Sequence, residues 1–129
     1  MKALDTPVLL ALLAGEPKAL ALGRRWRGEE LATTEMNLLE LSELASRSAR
    51  KGRASRSAAI SRLRRRLTVL PIERAAIEEA SRRQIRGERH ENLSILAMLA
   101  ALEVAGCDEL VTDNPTQFSG TWRFRCTKL

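Results

Sequence analysis

Aromatic residues are scarce in this chain of 129 residues, which has two Trp, two Phe and no Tyr. Proteins that bind single-stranded nucleic acid by stacking its bases usually offer several aromatic side chains, so this chain has little to offer that mode of binding. The apolar fraction of 44% still suffices for a core, which Leu, Ala, Ile and Val must fill. The length predicts one domain spanning residues 1–129.

Cysteines and long apolar runs are also few. Cys107 and Cys126 match no metal-binding spacing, so two reduced thiols are expected. No run reaches the roughly 18 apolar residues that a membrane span needs. The N-terminus has features of a signal peptide, but Asp5 and the 16–18 stretch interrupt its apolar residues. We therefore expect a soluble, cytoplasmic protein with no membrane segment.

The remaining pattern predicts strands that alternate with helices. Strands are predicted at residues 2–5, 30–33, 67–70, 109–112 and 122–126. Helices are predicted at residues 6–14, 17–22, from 34 onward, 56–66, 72–85 and 95–105, with 51–55 as a loop. Thr34 would cap the third helix, with Asn37 in place of the usual Glu or Gln of a capping box. Such alternation implies an α/β fold with a mostly parallel sheet covered on both faces.

Three polar residues follow or flank these elements in ways that suggest a site. Asp5 ends the first strand, where α/β folds place ligand-binding groups, although an acid at a helix start is also favoured by the helix dipole. Glu40 lies in a Leu-rich helix, where an unpaired carboxylate is costly to bury, unless it is solvated at the helix edge. Asn114 follows a buried strand, and it also fits a turn before Pro115. Asp113 is the alternative if the register differs by one residue.

Three segments taken together resemble the PIN-domain nucleases, in particular the VapC-like toxins of prokaryotic toxin–antitoxin pairs. They are Leu4-Asp5-Thr6-Pro7-Val8-Leu9-Leu10, Thr33-Thr34-Glu35-Met36-Asn37-Leu38-Leu39-Glu40-Leu41, and Gly106-Cys107-Asp108-Glu109-Leu110-Val111-Thr112-Asp113-Asn114 followed by Phe118. The resemblance implies a three-layer α/β/α sandwich whose strand ends gather acids around Mg²⁺ or Mn²⁺. It implies that Asp5, Glu40 and Asn114 are catalytic and bind the metal, with the hydroxyls of Thr6 and Thr112 nearby.

The third acid of that family is where this chain departs from the pattern. The family has an Asp at the start of the helix before the Gly106 turn, and counting back places Ser94, or one of its near neighbours, there. Glu91 would face the same way if the helix began early, and it would then replace the missing Asp; otherwise it is an ordinary first-turn acid. Hard oxygen ligands suit Mg²⁺, which binds through a few carboxylates together with substrate phosphate.

The chain also has a basic stretch between residues 47 and 66, which accounts for much of its net charge of +6. It is either a solvated helix face or a surface for RNA phosphates, and we favour the second because a nuclease must hold a backbone. The residues expected to contact RNA are Arg53, Arg56, Arg62 and Arg65.

The resemblance further implies a metal-dependent endoribonuclease with an RNA substrate, a cognate antitoxin and a homodimeric state. The missing third acid supports an alternative, a degenerate PIN-like domain that binds RNA or a protein partner without catalysis. A third hypothesis, an α/β domain that binds a phosphorylated ligand, is weakened because Thr6-Pro7-Val8 stands where a Gly-rich phosphate loop would follow the first strand.

Overall fold

The computed structural model describes residues 1–47, 52–88, 92–118 and 120–129. The strands of the described residues are β1 (Lys2–Leu4), β2 (Leu31–Thr34), β3 (Thr68–Leu70), β4 (Glu109–Thr112) and β5 (Arg125–Lys128). Their α-helices are α1 (Thr6–Leu13), α2 (Pro17–Arg25), α3 (Glu35–Arg47), α4 (Arg53–Arg65), α5 (Arg74–Ile85) and α6 (Leu93–Val104). A 3₁₀ turn at Pro115–Gln117 follows β4.

The five strands form one sheet in the order β3-β2-β1-β4-β5, and every neighbouring pair is parallel. The predicted α/β class is therefore confirmed. From β1 the chain first builds outward to β2 and β3, and it then returns to add β4 and β5 on the other side of β1. The boundary between β1 and β4 is a topological switch point, where open α/β sheets form a crevice at the carboxyl ends of their strands.

Side chains alternate between the two faces of the sheet, as the pleat of a strand requires. Leu4 and Val111 face the core cluster that α1, α2, α3 and α4 cover. Ala3 and Leu110 face the opposite way, against the apolar helix α6. Helix α5 packs on α6 through small residues such as Ala76. The molecule thus has helices on both faces of a central sheet, as the sequence pattern predicted.

Three of the predicted boundaries differ from the observed ones by three residues, and the others agree within two residues. Helix α2 continues through Gly23 to Arg25, because Leu22 and Trp26 extend its buried side by a further turn. Helix α4 begins at Arg53, so part of the predicted 51–55 loop is helical.

The last strand begins at Arg125, three residues later than predicted. Trp122 and Phe124 stack on each other with ring centroids 5.6 Å apart. Phe124 belongs to the core cluster beside α6, and Trp122 packs against that cluster. Their alternating apolar pattern reflects packing of the preceding loop, which was mistaken for strand pairing.

Within the described residues, no single helix is long and apolar enough to cross a membrane. Helices α1 and α2 reach that length only together, as a pair bent by 104°.

The end of the sheet opposite the switch point is held by a buried carboxylate, Glu109. It accepts hydrogen bonds from Thr127 Oγ1 at 2.7 Å, Lys2 Nζ at 3.1 Å and Arg125 at 3.2 Å. Burial raises the pKa of Glu109, but these three donors outweigh it and hold the pKa at about 2. The group joins β1, β4 and β5, the strands that carry its partners.

We expect Glu109→Gln to destabilise the protein in a pH-dependent way. The pKa of Glu109 is lower in the folded state than in the unfolded chain, so its stabilisation is complete above about pH 4.5 and is lost as the pH falls toward 2. The variant should lose about 2 kcal/mol of unfolding free energy at pH 7 and nearly nothing near pH 2, measured by denaturant titration. Glu43→Gln, which alters an exposed ion pair with Arg47, is the control. A difference that does not depend on pH would contradict this role.

Candidate active site

Asp5 lies at the switch point, directly after β1, and is 5% exposed. It is the N-cap of α1, and its Oδ1 accepts a hydrogen bond from the Thr6 backbone N–H at 2.8 Å. The two interpretations of this residue are therefore compatible, because one carboxylate oxygen caps the helix and the other is left for different partners. Thr112, the last residue of β4, donates its hydroxyl to Asp5 Oδ2 at 2.7 Å.

The structure also brings Glu40 to this place. Helix α3 follows β2 and carries Glu40 beside α1, where the Thr6 hydroxyl donates to Glu40 Oε2 at 2.7 Å. Thr6 thus contacts one predicted acid through its backbone N–H and the other through its side chain. Each of the two predicted hydroxyls therefore bonds one predicted carboxylate, Thr6 that of Glu40 and Thr112 that of Asp5.

The surroundings of Asp5 disfavour its ionised form in the absence of a cation. Burial raises the pKa of Asp5, as do the neighbouring charges of Glu40 and Asp113, while the hydrogen bonds from Thr112 and Thr6 lower it less. A bound cation would reverse this balance because it favours the ionised carboxylate.

Asn37 is a site residue whose role sequence analysis missed. It lies one turn before Glu40 on α3 and is 2% exposed. Its side-chain amide donates to Asp5 Oδ1 at 3.2 Å and to Thr6 Oγ1 at 3.1 Å. Its oxygen completes the capping box with Thr34, as predicted. The i, i+3 spacing from Glu40, which places both residues on one side of a helix, was the available signal.

A cavity of about 210 Å³ opens beside Asp5, Thr6 and Glu40. Helix α6 contributes Ser94 to its lining, and the loop after β4 contributes Gln117 and Phe118. The structure therefore brings Ser94 into the same cavity as the two acids.

Gln117 was also missed by the sequence analysis, because only the 3₁₀ turn directs it here. Its side-chain N–H donates to Thr112 Oγ1 at 3.4 Å.

The start of helix α6 is fixed by a side-chain cap. Asn92 is the N-cap and accepts a hydrogen bond from the Ser94 backbone N–H at 2.8 Å. The helix starts at Leu93, and Glu91, the predicted replacement for the third acid, lies outside the described residues.

Asn114 and Asp113 are exposed and do not line this cavity in the described part of the chain. Asn114 precedes the 3₁₀ turn, and its side-chain oxygen accepts from Thr116 Oγ1 at 2.7 Å while its backbone N–H approaches Thr112 Oγ1 at 3.4 Å. Asp113 lies 3.5 Å from the Thr112 hydroxyl. Of the three residues expected to meet, Asp5 and Glu40 do so, whereas the Asn114 side chain is turned toward its own turn.

The predicted RNA-binding arginines lie on α4, next to the helix that carries Glu40. Arg56 is half-buried and lines a separate groove of about 440 Å³ with four serines of α3 and α4. Arg62 and Arg65 are exposed in the last turn of α4. The side chain of Arg53 lies outside the described residues.

The cavity is lined by oxygen-bearing groups of the kind that a hard divalent ion prefers. Only two of these groups in the described part of the chain, the carboxylates of Asp5 and Glu40, can carry a negative charge. Asp5 and Glu40 bring carboxylate oxygens to the cavity, and Ser94 and Gln117, which also line it, carry neutral oxygens. Oxygen ligands of this kind fit Mg²⁺ or Mn²⁺. Among residues 1–47, 52–88, 92–118 and 120–129, however, no three His, Cys, Asp or Glu side chains gather in a way that could hold a metal ion.

These features define a class, an α/β/α sandwich with an acidic pair at the switch point of a parallel sheet. The family of PIN domains matches residues 2–117, and the chain belongs to that family. No curated protein matches the sequence.

Solved structures share the fold at low sequence identity. VapBC2 from Rickettsia felis, bound to a promoter DNA fragment, is 16% identical over 99% of this chain and 98% of that chain, with a TM-score of 0.77. VapBC-5 from Mycobacterium tuberculosis is 21% identical over 99% and 98%, with a TM-score of 0.68. VapC20 from Mycobacterium tuberculosis is 23% identical over 85% and 87%, with a TM-score of 0.63.

We expect Asp5→Asn to stabilise the metal-free protein. The pKa of Asp5 is raised in the folded state, so stability is lost as the pH rises through that pKa and the buried carboxylate ionises. An amide keeps an acceptor oxygen for Thr6 and Asn37 and removes the buried charge. The melting temperature at pH 7 with a chelator should rise by roughly 2–5 °C. A lower melting temperature than that of the unsubstituted protein would contradict the charge argument.

Proposed function

We propose that this protein is a metal-dependent endoribonuclease, the toxin of a toxin–antitoxin pair, which cleaves RNA phosphodiesters with Mg²⁺ or Mn²⁺. The observation that carries the proposal is the pair Asp5 and Glu40, bridged by Thr6 beside a cavity at the switch point. A buried carboxylate beside a half-buried one is costly to the fold, and catalysis with a cation explains why the two are kept together. Membership of the PIN-domain family supports the same conclusion.

The similar structures support the proposed substrate and partner. VapC20 is described as a toxin that cleaves the Sarcin-Ricin loop, and VapBC-5 as a member of a family of toxin–antitoxin systems. We propose by analogy that this chain acts on RNA and is held by a cognate antitoxin, and that it forms a homodimer. These analogies rest on fold, since identity to both is below 25%.

In the proposed mechanism, Asp5 and Glu40 are the anionic ligands, and Ser94, Asn114, Asp113 and Glu91 are further candidates for the remaining positions. The ion would lower the pKa of a bound water and offset the charge that develops on the phosphate. Thr6 and Thr112 hold the two carboxylates in place through the hydrogen bonds described above. Phe118 and Met98 give the cavity an apolar wall.

The arginines of α4 would hold the RNA backbone on the side of α3. We propose that Arg53, Arg56, Arg62 and Arg65 neutralise phosphates there, with no reading of base sequence. Affinity for RNA should then fall steeply as salt is added, because each neutralised phosphate releases a condensed counterion.

Asp5→Asn and Glu40→Gln should each abolish RNA cleavage in Mg²⁺ or Mn²⁺. Each removes one of the two negative ligands, and losing one such interaction costs at least about a hundredfold in rate. Cleavage of a labelled RNA, followed on a denaturing gel with and without a chelator, measures this.

Glu43→Gln is the matched control, because Glu43 lies one turn from Glu40 on α3 but is exposed and paired with Arg47. Full activity in both site variants would reject the assignment.

The second candidate function is a PIN-like domain that binds RNA or a protein partner without cutting. The observation that favours it is Ser94, which lines the cavity where the family resemblance expects an Asp. In that case the charge at the site is too low to hold a cation.

Ser94→Asp distinguishes the two candidates, because it restores a third carboxylate to the cavity. We expect the variant to bind Mn²⁺ at least about tenfold more tightly than the unsubstituted protein, measured by calorimetry. Ser94→Ala is the control and should leave the affinity nearly unchanged.

Binding by the unsubstituted protein favours the nuclease, whereas binding by Ser94→Asp alone favours the non-catalytic domain. If neither protein binds Mn²⁺ at millimolar concentration, the cavity is not a metal site.

A further inference from the structure

Asn37 uses both ends of its side chain, and the two ends serve different parts of the molecule. Its Oδ1 accepts from the Thr34 hydroxyl at 2.7 Å and from the Thr34 N–H at 3.3 Å, which caps α3. Its Nδ2 donates to Asp5 and Thr6, which belong to the site, and it also lies 3.1 Å from Met98 Sδ, a weak acceptor. With the side chain 2% exposed, water cannot substitute for these partners.

The hydrogen bonds to Asp5 nearly exhaust its capacity to accept. A carboxylate has about four acceptor positions, two on each oxygen. On Oδ1 they are taken by the Thr6 N–H at 2.8 Å and by Asn37 at 3.2 Å. On Oδ2 the Thr112 hydroxyl takes one at 2.7 Å. One position therefore stays open, and it is on Oδ2.

Asn37 also controls the direction of the Thr6 hydroxyl. Because its Nδ2 donates to Thr6 Oγ1 at 3.1 Å, the single proton of that hydroxyl points away from the amide. Glu40 Oε2, at 2.7 Å, is a nearer acceptor for it than the Asn37 carbonyl oxygen at 3.5 Å. One amide thus fixes the oxygen that Asp5 presents and the hydrogen bond that holds Glu40.

We propose that Asn37 is a positioning residue which restricts Asp5 to one metal contact, through Oδ2, so that the site takes a single divalent ion. A second ion bridged by Asp5 would need an oxygen position that Thr6 or Asn37 occupies. Displacing the Thr6 N–H would leave a buried donor unpaired, and displacing Asn37 would exchange a carboxylate for the weak acceptor Met98 Sδ. The proposal rests on the metal site of the proposed function, and it adds the number of ions and the residue that sets it.

The competing explanation is that Asn37 only caps α3. The two are separable because Thr34 contacts the Oδ1 end of Asn37, and the bonds from Asn37 run from the Nδ2 end to Asp5 and Thr6. Thr34→Ala therefore weakens the cap and leaves the contacts to Asp5 and Thr6 in place. If capping were the whole role, Thr34→Ala and Asn37→Ala would have similar effects on the metal.

Mn²⁺ binding by calorimetry on the full chain tests the proposal. We expect one ion per chain for the unsubstituted protein. Asn37→Ala should raise the Kd at least about tenfold, and Thr34→Ala should change it less than about threefold. Two ions per chain, or equal losses of affinity in the two variants, would overturn the proposal.

A second measurement decides the role of Asn37 without metal. Asn37→Ala and Asp5→Ala should each lower the melting temperature in the presence of a chelator. The double variant should lose less than the sum of the two reductions, because both substitutions remove the same hydrogen bond. Additive effects would rule out the coupling.

The same measurements distinguish failure of the nuclease proposal from failure of the positioning role of Asn37. One tightly bound Mn²⁺ without RNA cleavage rejects the enzyme and keeps the positioning role. Absence of any Mn²⁺ binding rejects the one-ion site together with the proposed nuclease, and the thermal cycle still decides whether Asn37 and Asp5 are coupled.

Discussion

The burial of the Asp5 carboxylate is the constraint on which the rest of this site depends. A negative charge removed from water must find donors, and Asp5 finds them on three different elements, at the start of α1, on α3 and at the end of β4. Each donor is in turn fixed by backbone structure, because Thr6 begins a helix, Asn37 caps one and Thr112 ends a strand. The carboxylate therefore acts as the junction between the sheet and the two helices that cover its crevice.

Two buried carboxylates, Asp5 and Glu109, differ in how well the fold compensates their negative charge. The raised pKa of Asp5 shows that the fold does not fully compensate its ionised form, while Glu109 at the other end of the sheet has a pKa of about 2. Both carboxylates are buried, and they differ in their partners. Cationic side chains surround Glu109, whereas Asp5 is bonded by neutral donors and lies near further acids. The first carboxylate stabilises the fold, and the second is suited to a cation supplied from outside.

Sequence reasoning reached most of the fold, and it singled out two carboxylates, Asp5 and Glu40, that line one cavity in the structure. The strands could be predicted because a buried parallel strand is a short apolar run, and Asp5, Glu40, Thr6 and Thr112 follow from the residues at strand ends and from family resemblance. The boundaries of α2, α4 and β5 were wrong where tertiary packing overrode a local signal, as when Trp122 and Phe124 formed a stacked pair in a loop. The sequence predicts Asn37 as part of a helix cap, and the structure agrees. Its hydrogen bonds to Thr6 and Asp5 could not be predicted, because these partners lie 31 and 32 residues away along the chain.

The sequence by itself determined the α/β class, the alternation of strands and helices, and the presence of Asp5 after a strand and of Glu40 within a Leu-rich helix, because these depend on local periodicity and residue type. Only the tertiary structure decided which polar groups meet. It aimed the Asn37 amide at Asp5, placed Ser94 and Gln117 on the cavity wall, and turned the Asn114 side chain toward Thr116. The physical reason is that hydrogen-bond partners are selected by distance and direction in space, and the order of residues along a chain does not specify either.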